Sequence, residues 1–275
     1  MSSPTTPRRL ALLVEYDGTE FSGSQSQRGR RTVQDTLEDA IAAYCGEPAE
    51  GARRRIAFAG RTDAGVHARA QVAVMDCPRM DALETVRDAL NHYLPEDVAV
   101  RAASEVAEDF DPRRDAIARR YCYRIRDGGT RSPLRRRDIW QRGDSLDVAA
   151  MAAAAAALPR GRRDWAAFAG TPSGGGSTVR TLISMAVRRR GAHEIEVSME
   201  ADAFLPHQVR RTVGALERVG AGARSAREFA ALVAAPASSV GPTAPPQGLT
   251  LEAVRYPAGA VDWGLDGELE QEMVA

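Results

Sequence analysis

The sequence predicts an α+β fold: two pseudo-symmetric halves forming a mixed, mainly antiparallel sheet, with helices on one face and a central cleft between the halves. Two observations lead there. The chain echoes itself: Arg8-Arg9 opens a strand-like run ending at Asp17-Gly18, and Arg119-Arg120 opens another ending at Asp127-Gly128, 111 residues on. Ala57-Phe58-Ala59-Gly60 returns as Ala167-Phe168-Ala169-Gly170 at an offset of 110, which suggests a duplicated unit. Each half also shows the same succession of strand, helix, strand pair and helix.

In the N-terminal half, residues 1–108, the strand-like run is followed by a helix over about Thr32–Tyr44. Val33, Leu37, Ala40 and Ile41 fall on one face at helical spacing and Thr32 is placed to cap the N-terminus. Ile56-Ala57-Phe58-Ala59 reads as a short buried strand and Gln71-Val72-Ala73-Val74 as the next, with a helix over about Asp81–Tyr93. The C-terminal half, residues 109–257, repeats the scheme, with helices over about Leu146–Leu158 and His207–Val219. The small side chains of Ala149 to Ala157, interrupted by Met151, suit close packing on a sheet. Residues 258–275 form an acidic tail.

With 275 residues and 44% hydrophobic content the chain can bury a full core. Its formal net charge is zero, yet the average hides a gradient. The tail carries Asp262, Asp266, Glu268, Glu270 and Glu272 and no basic residue, so the remaining 32 acidic groups face 37 basic ones, a net charge of +5. All 37 basic residues are Arg, as a GC-rich genome would give, and Arg also favours forked contacts to phosphate. Clusters at 53–55, 113–114, 119–120, 135–137, 188–190 and 210–211 could line a phosphate-tracking groove, though an Arg run is more often a solvated face.

Cys45, Cys77 and Cys122 are far apart in sequence and odd in number, so no disulfide framework or zinc pattern follows. His67, His92, His193 and His207 form no ligand-like cluster, and no protein metal site is expected. There is no apolar run long enough to span a membrane and no secretion-signal core after Met1-Ser2-Ser3-Pro4, so a cytoplasmic protein is the expectation.

The most informative stretch is Gly60-Arg61-Thr62-Asp63-Ala64-Gly65-Val66-His67-Ala68, which sets one carboxylate in a glycine-bounded turn between the two expected strands. Gly60 and Gly65 allow backbone angles or close approaches that bring a substrate near Asp63. On residue types alone an ordinary turn, with Asp63 bonding its own backbone, is the better explanation. The internal repeat shifts that balance. Where the first half has Arg61-Thr62-Asp63-Ala64-Gly65, the second has Thr171-Pro172-Ser173-Gly174-Gly175-Gly176, so a half can keep its Phe-Ala-Gly and lose the carboxylate.

Gly60 to Ala68 resembles, without gap or substitution, the active-site motif of the TruA family of tRNA pseudouridine synthases. Tyr16-Asp17-Gly18 with Phe21 and Gly23, Arg119-Arg120-Tyr121 with Tyr123, and Ala203-Phe204 followed by His207 and Val209-Arg210 agree with it. So does Thr243-Ala244-Pro245-Pro246-Gln247-Gly248-Leu249, and the similarity spans about residues 8–257. The resemblance implies isomerisation of uridine to pseudouridine in the tRNA anticodon arm, positions 38 to 40, by a homodimer without a cofactor. That reaction breaks N1–C1′, turns the base and joins C5 to C1′, and needs a flipped base and a nucleophile at the sugar or at C6. The resemblance makes Asp63 the nucleophile. Attack at C1′, addition to C6 and elimination at the ribose all stay open.

By the same resemblance Arg210 pairs with the Asp, and a cationic neighbour would keep that carboxylate ionised in a dry pocket. Tyr121 is the active-site Tyr, able to stack on uracil, and Phe204 or Leu205 forms an apolar wall. Arg61 is expected to hold RNA, His67 to stabilise the turn and Asp17 to be a turn residue. The chain departs from the pattern at Ser24, where Trp is expected, at Ser26, where a basic residue is, and at Pro206 and Arg211 beside Arg210. Two rival readings are a tRNA-binding chaperone without catalysis and a magnesium-dependent phosphatase. The second rests on Glu15-Tyr16-Asp17-Gly18-Thr19, which lacks the first Asp of a D-x-D-G-T motif, and the chain has no Lys to complete such a site.

Overall fold

The computed structural model describes residues 7–46, 53–170 and 176–264. Among the described residues there are ten strands and five α-helices, mainly antiparallel in pairing, which is the expected α+β class. Contacts divide the chain into two units, Met1–Ile117 with Leu251–Ala275, and Ala118–Thr250.

The first unit contains β1 (Arg8–Tyr16), α1 (Val33–Cys45), β2 (Ala57–Phe58), β3 (His67–Cys77), α2 (Leu83–Tyr93) and β4 (Val98–Glu105). β1 lies between antiparallel neighbours: its register with β3 runs from Arg8↔Cys77 to Tyr16↔Ala68, and with β4 from Leu10↔Glu105 to Tyr16↔Val98. Leu10 to Val14 are at most 2% exposed, so both faces of the strand are covered there, and the run reads as continuously apolar for that reason. β2 is shorter and less buried than the expected strand Ile56–Ala59, because Ala57 is exposed and the two residues pair only with Val74 and Ala73 of β3. β3 starts at His67, inside the nine-residue motif and four residues before the expected strand.

Thr32 caps α1, accepting from the Asp35 amide at 3.2 Å, and the stripe Val33, Leu37, Ala40, Ile41 is buried as its spacing predicts. Glu38 is buried with them. Its carboxylate accepts from Gln34 Nε2 (2.8 Å) and the Ile56 amide (3.1 Å) and pairs with Arg53 (2.8 Å) and Arg55 (3.2 Å), which ties α1 to the segment entering β2. The C-terminal ends of α1 and β3 bring the free thiols of Cys45 and Cys77 to 3.9 Å, a proximity that a separation of 32 positions hides in the sequence.

The second unit contains β5 (Ala118–Arg126), β6 (Trp140–Gln141), α3 (Val148–Ala157), β7 (Gly161–Asp164), β8 (Val179–Arg190), β9 (Glu194–Ala201), α4 (Gln208–Gly220) and α5 (Ala226–Ala231). Its strands run β5-β9-β8-β7, with β6 parallel on β5. β10 (Leu249–Arg255) starts at the end of this unit, and its larger part lies beside β3 in the first. β5 has the nine residues of β1 and begins 110 positions later, the same offset as the Ala-Phe-Ala-Gly echo. Asp127, just past β5, takes both Arg189 nitrogens at 2.8 and 2.9 Å and the Leu146 amide at 2.8 Å. Gly248 passes so close to Tyr123 that a Cβ there would lie 2.7 Å from the ring, and the Tyr123 hydroxyl donates to Pro245 O at 2.8 Å. The closing Thr-Ala-Pro segment is therefore packed onto β5. Of the loop Thr171–Gly176, residues 171–175 lie outside the described residues, as does the tail from 265 on.

Candidate active site

The site loop lies between β2 and β3. Its entry is fixed by Ala59 N–H donating to Val72 O (2.8 Å) and by Gln71 Nε2 donating to Gly60 O (2.9 Å). Gly60 has no positive φ, and nothing lies within 4 Å of where its Cβ would be, so the expected need for glycine there is not met. Gly65 does need it. The turn from Asp63 to Val66 closes through Val66 N–H to Asp63 O (3.1 Å), and its third residue, Gly65, has φ +76°.

The close approaches belong to two other glycines, on the segment after β1. A Cβ at Gly18 would lie 2.0 Å from Val66 O, and one at Gly23, whose φ is +97°, 2.9 Å from Thr62 O. Through these contacts residues 16–24 form the bed on which the loop rests. Gly65 N–H reaches Phe21 O at 3.3 Å, and the buried Phe21 is itself covered by the Arg31 guanidinium, 4.1 Å above its ring. Ser24 donates its N–H to Thr62 O (3.1 Å) and accepts from Thr62 N–H through Oγ (2.9 Å). The Tyr16 hydroxyl and Thr62 Oγ1 are 2.8 Å apart. Burial pushes the Tyr16 phenol up to about 12, with Thr62 and Gln71 acting weakly against it, so this contact is a neutral one across the physiological range.

Asp63 is half-buried and Arg61 exposed on the same loop. His67 is buried; its Nδ1 lies 3.0 Å from the Gly18 amide and 3.1 Å from Asp17 Oδ1, which also takes the Thr19 amide (3.0 Å) and hydroxyl. His67 thus fastens the turn after β1 to the start of β3, and Asp17 holds its own turn.

Tyr121, Phe204 and Arg210 belong to the second unit. Tyr121, 7% exposed on β5, meets Phe204 edge to face with centroids 5.3 Å apart, an aromatic pair of favourable geometry. Arg210 stands in the first turn of α4, half-buried; its Nε donates to Ala244 O at 2.9 Å, and the Ala244 amide donates back to Arg210 O at 3.1 Å. Its charge pulls down a Tyr123 phenol that burial raises strongly. The residue before α4, His207, is held at φ +62° beside Gly170, while Arg211 donates to Ser238 O at 2.6 Å. Leu205 is buried and Pro206 exposed.

The structure therefore joins Arg61 with Asp63, and Tyr121 with Phe204. The bed itself is not legible in the sequence, where Ser24 is only a departure from a pattern; in the fold its polar side chain is 0% exposed and must find a partner.

A family model described as tRNA pseudouridine synthase matches residues 12–114 and 155–257. The tRNA pseudouridine synthase A of Myxococcus xanthus is 45% identical over 91% of this chain and 93% of that protein. That of Methylobacterium nodulans is 45% identical over 92% of this chain and 98% of its own length, and that of Geobacter sulfurreducens 39% identical over 90% and 100%.

Proposed function

The chain belongs to the tRNA pseudouridine synthase family, and on that premise we propose that it isomerises uridine to pseudouridine at positions 38 to 40 of the tRNA anticodon arm, with Asp63 as nucleophile. The observation that carries this reading is the build of the Asp63 loop. The carboxylate sits on a turn whose backbone is anchored before it at Thr62 and after it at Gly65 and Val66, while the side chain stays half-buried and reachable. An ordinary turn residue needs no such bed. Preorganising the carboxylate removes the orientational freedom that would otherwise oppose attack on a flipped nucleotide.

In this reading Arg210 supplies the positive charge that keeps Asp63 ionised once bound RNA has excluded water. Tyr121 stacks on the flipped uracil, with Phe204 holding the ring from its edge, and Arg61 takes the RNA backbone or the gap the base leaves. Halves 1–108 and 109–257 act as one catalytic core. The enzyme works in the cytoplasm as a homodimer, so that one tRNA contacts both subunits, and without a cofactor, since no redox change occurs.

Unmodified tRNA transcripts carrying uridine at 38, 39 or 40, each with a matched cytidine substitution, test the assignment. Incubation with the protein followed by pseudouridine mapping is expected to give product at those positions alone. Product elsewhere in the tRNA would contradict the positional assignment, and no product on any transcript would contradict the activity.

A further inference from the structure

All three polar atoms of Thr62, the residue immediately before Asp63, are held by the segment after β1. Thr62 N–H goes to Ser24 Oγ (2.9 Å), Thr62 O to Ser24 N–H (3.1 Å) and Thr62 Oγ1 to the Tyr16 hydroxyl (2.8 Å). Peptide units are planar. Thr62 N–H lies in the Arg61–Thr62 peptide, and Thr62 O in the Thr62–Asp63 peptide, which also contains the Asp63 nitrogen. Ser24 therefore fixes both planes around Thr62 Cα with two bonds. The Asp63–Val66 turn fixes the peptide that follows, so the carboxylate is left with little freedom beyond its own side-chain rotation.

Ser24 is 0% exposed and Thr62 7%, so water has no route to replace a lost acceptor without opening the loop. The approach is possible because Gly23 has no Cβ to meet Thr62 O. A tryptophan, which the family resemblance leads one to expect at position 24, offers no side-chain acceptor. The Oγ half of this clamp is a property of the serine this chain carries.

We propose that Ser24 is a positioning residue for Asp63, setting the direction of the carboxylate through the two peptide planes of Thr62. The proposal rests on Asp63 being the nucleophile. Ser24→Ala removes the Oγ acceptor and keeps the N–H donor, and Ser24→Cys, nearly isosteric with a weak acceptor, serves if the alanine variant fails to fold.

Single-turnover rates at saturating enzyme and the Kd for the same tRNA transcript are measured side by side, with hydrogen exchange of the peptide covering 59–66. The rate is expected to fall at least tenfold for the alanine variant and less for cysteine, Kd to stay within twofold, and exchange at the loop to quicken. A folded variant with an unchanged rate overturns the proposal. So does a Kd that rises in step with the lost rate, which would make Ser24 an RNA contact. An inactive wild-type protein contradicts the enzymatic reading instead, whereas an active wild type beside an unaffected variant contradicts the positioning role alone.

Discussion

Gly18 and Gly60 sit at the two ends of one contact network and obey different constraints. A side chain at Gly18 would drive into the Val66 carbonyl at 2.0 Å, which is backbone and cannot turn away, whereas Gly60 faces open space at an ordinary backbone angle. Gly18→Ala is expected to cost about 3 kcal/mol of stability by overpacking, and to lower the catalytic rate by shifting Val66. Gly60→Ala is expected to stay within about 0.5 kcal/mol of the wild type. Thermal unfolding of both proteins checks the pair, and equal losses would mean that the bed under the loop is not rigid. The motif made the loop and its Asp legible. It did not show which glycine matters, because crowding at Gly18 comes from a residue 48 positions away.

At the scale of elements, the two nine-residue strands β1 and β5 each run into an Asp, but the two carboxylates are used differently. Asp17 bonds its own turn beside His67, while Asp127 crosses to Arg189 at the end of β8. Hydrogen bonds from Arg189, reinforced by the Leu146 amide, hold the Asp127 carboxyl below its usual range. A depressed folded-state value means stability that is present above the unfolded pKa of about 4 and is lost as pH falls through the folded one. Asp127→Asn is therefore expected to lower stability by about 3 kcal/mol at pH 7, and the gap to wild type to narrow from pH 5 to pH 3. Denaturant titrations over that range measure it, and a gap independent of pH would contradict the pairing. The helix periodicity placed four of the five described helices within about two residues of their ends. The six residues of α5 are too few for a period of 3.6 to stand out. Glu38 escaped as well: a carboxylate within an apolar stripe reads as solvent-facing until Arg53, Arg55 and the Ile56 amide fold back onto it.

For the molecule as a whole, 37 arginines and no lysine set against an acidic C-terminal tail give residues 1–257 a net charge of +5. A protein that binds tRNA with such a surface releases counterions on binding. Affinity for a tRNA transcript is expected to fall by at least about tenfold between 50 and 200 mM salt, and a flat dependence would contradict arginine–phosphate contacts as its source. The fold class was readable because strand and helix periodicities survive in the chain. The anchoring of the site was not, since Ser24 to Thr62 and Tyr16 to Thr62 are tertiary bonds between residues 38 and 46 positions apart. In this reading Asp63 carries the chemistry, and Asp63→Asn tests that claim, since the amide keeps the shape of the side chain and removes the nucleophile. With tRNA binding and melting temperature matched to the wild type, pseudouridine formation by the variant is expected to fall by at least about 10³-fold, whereas product formed at the wild-type rate would contradict the claim.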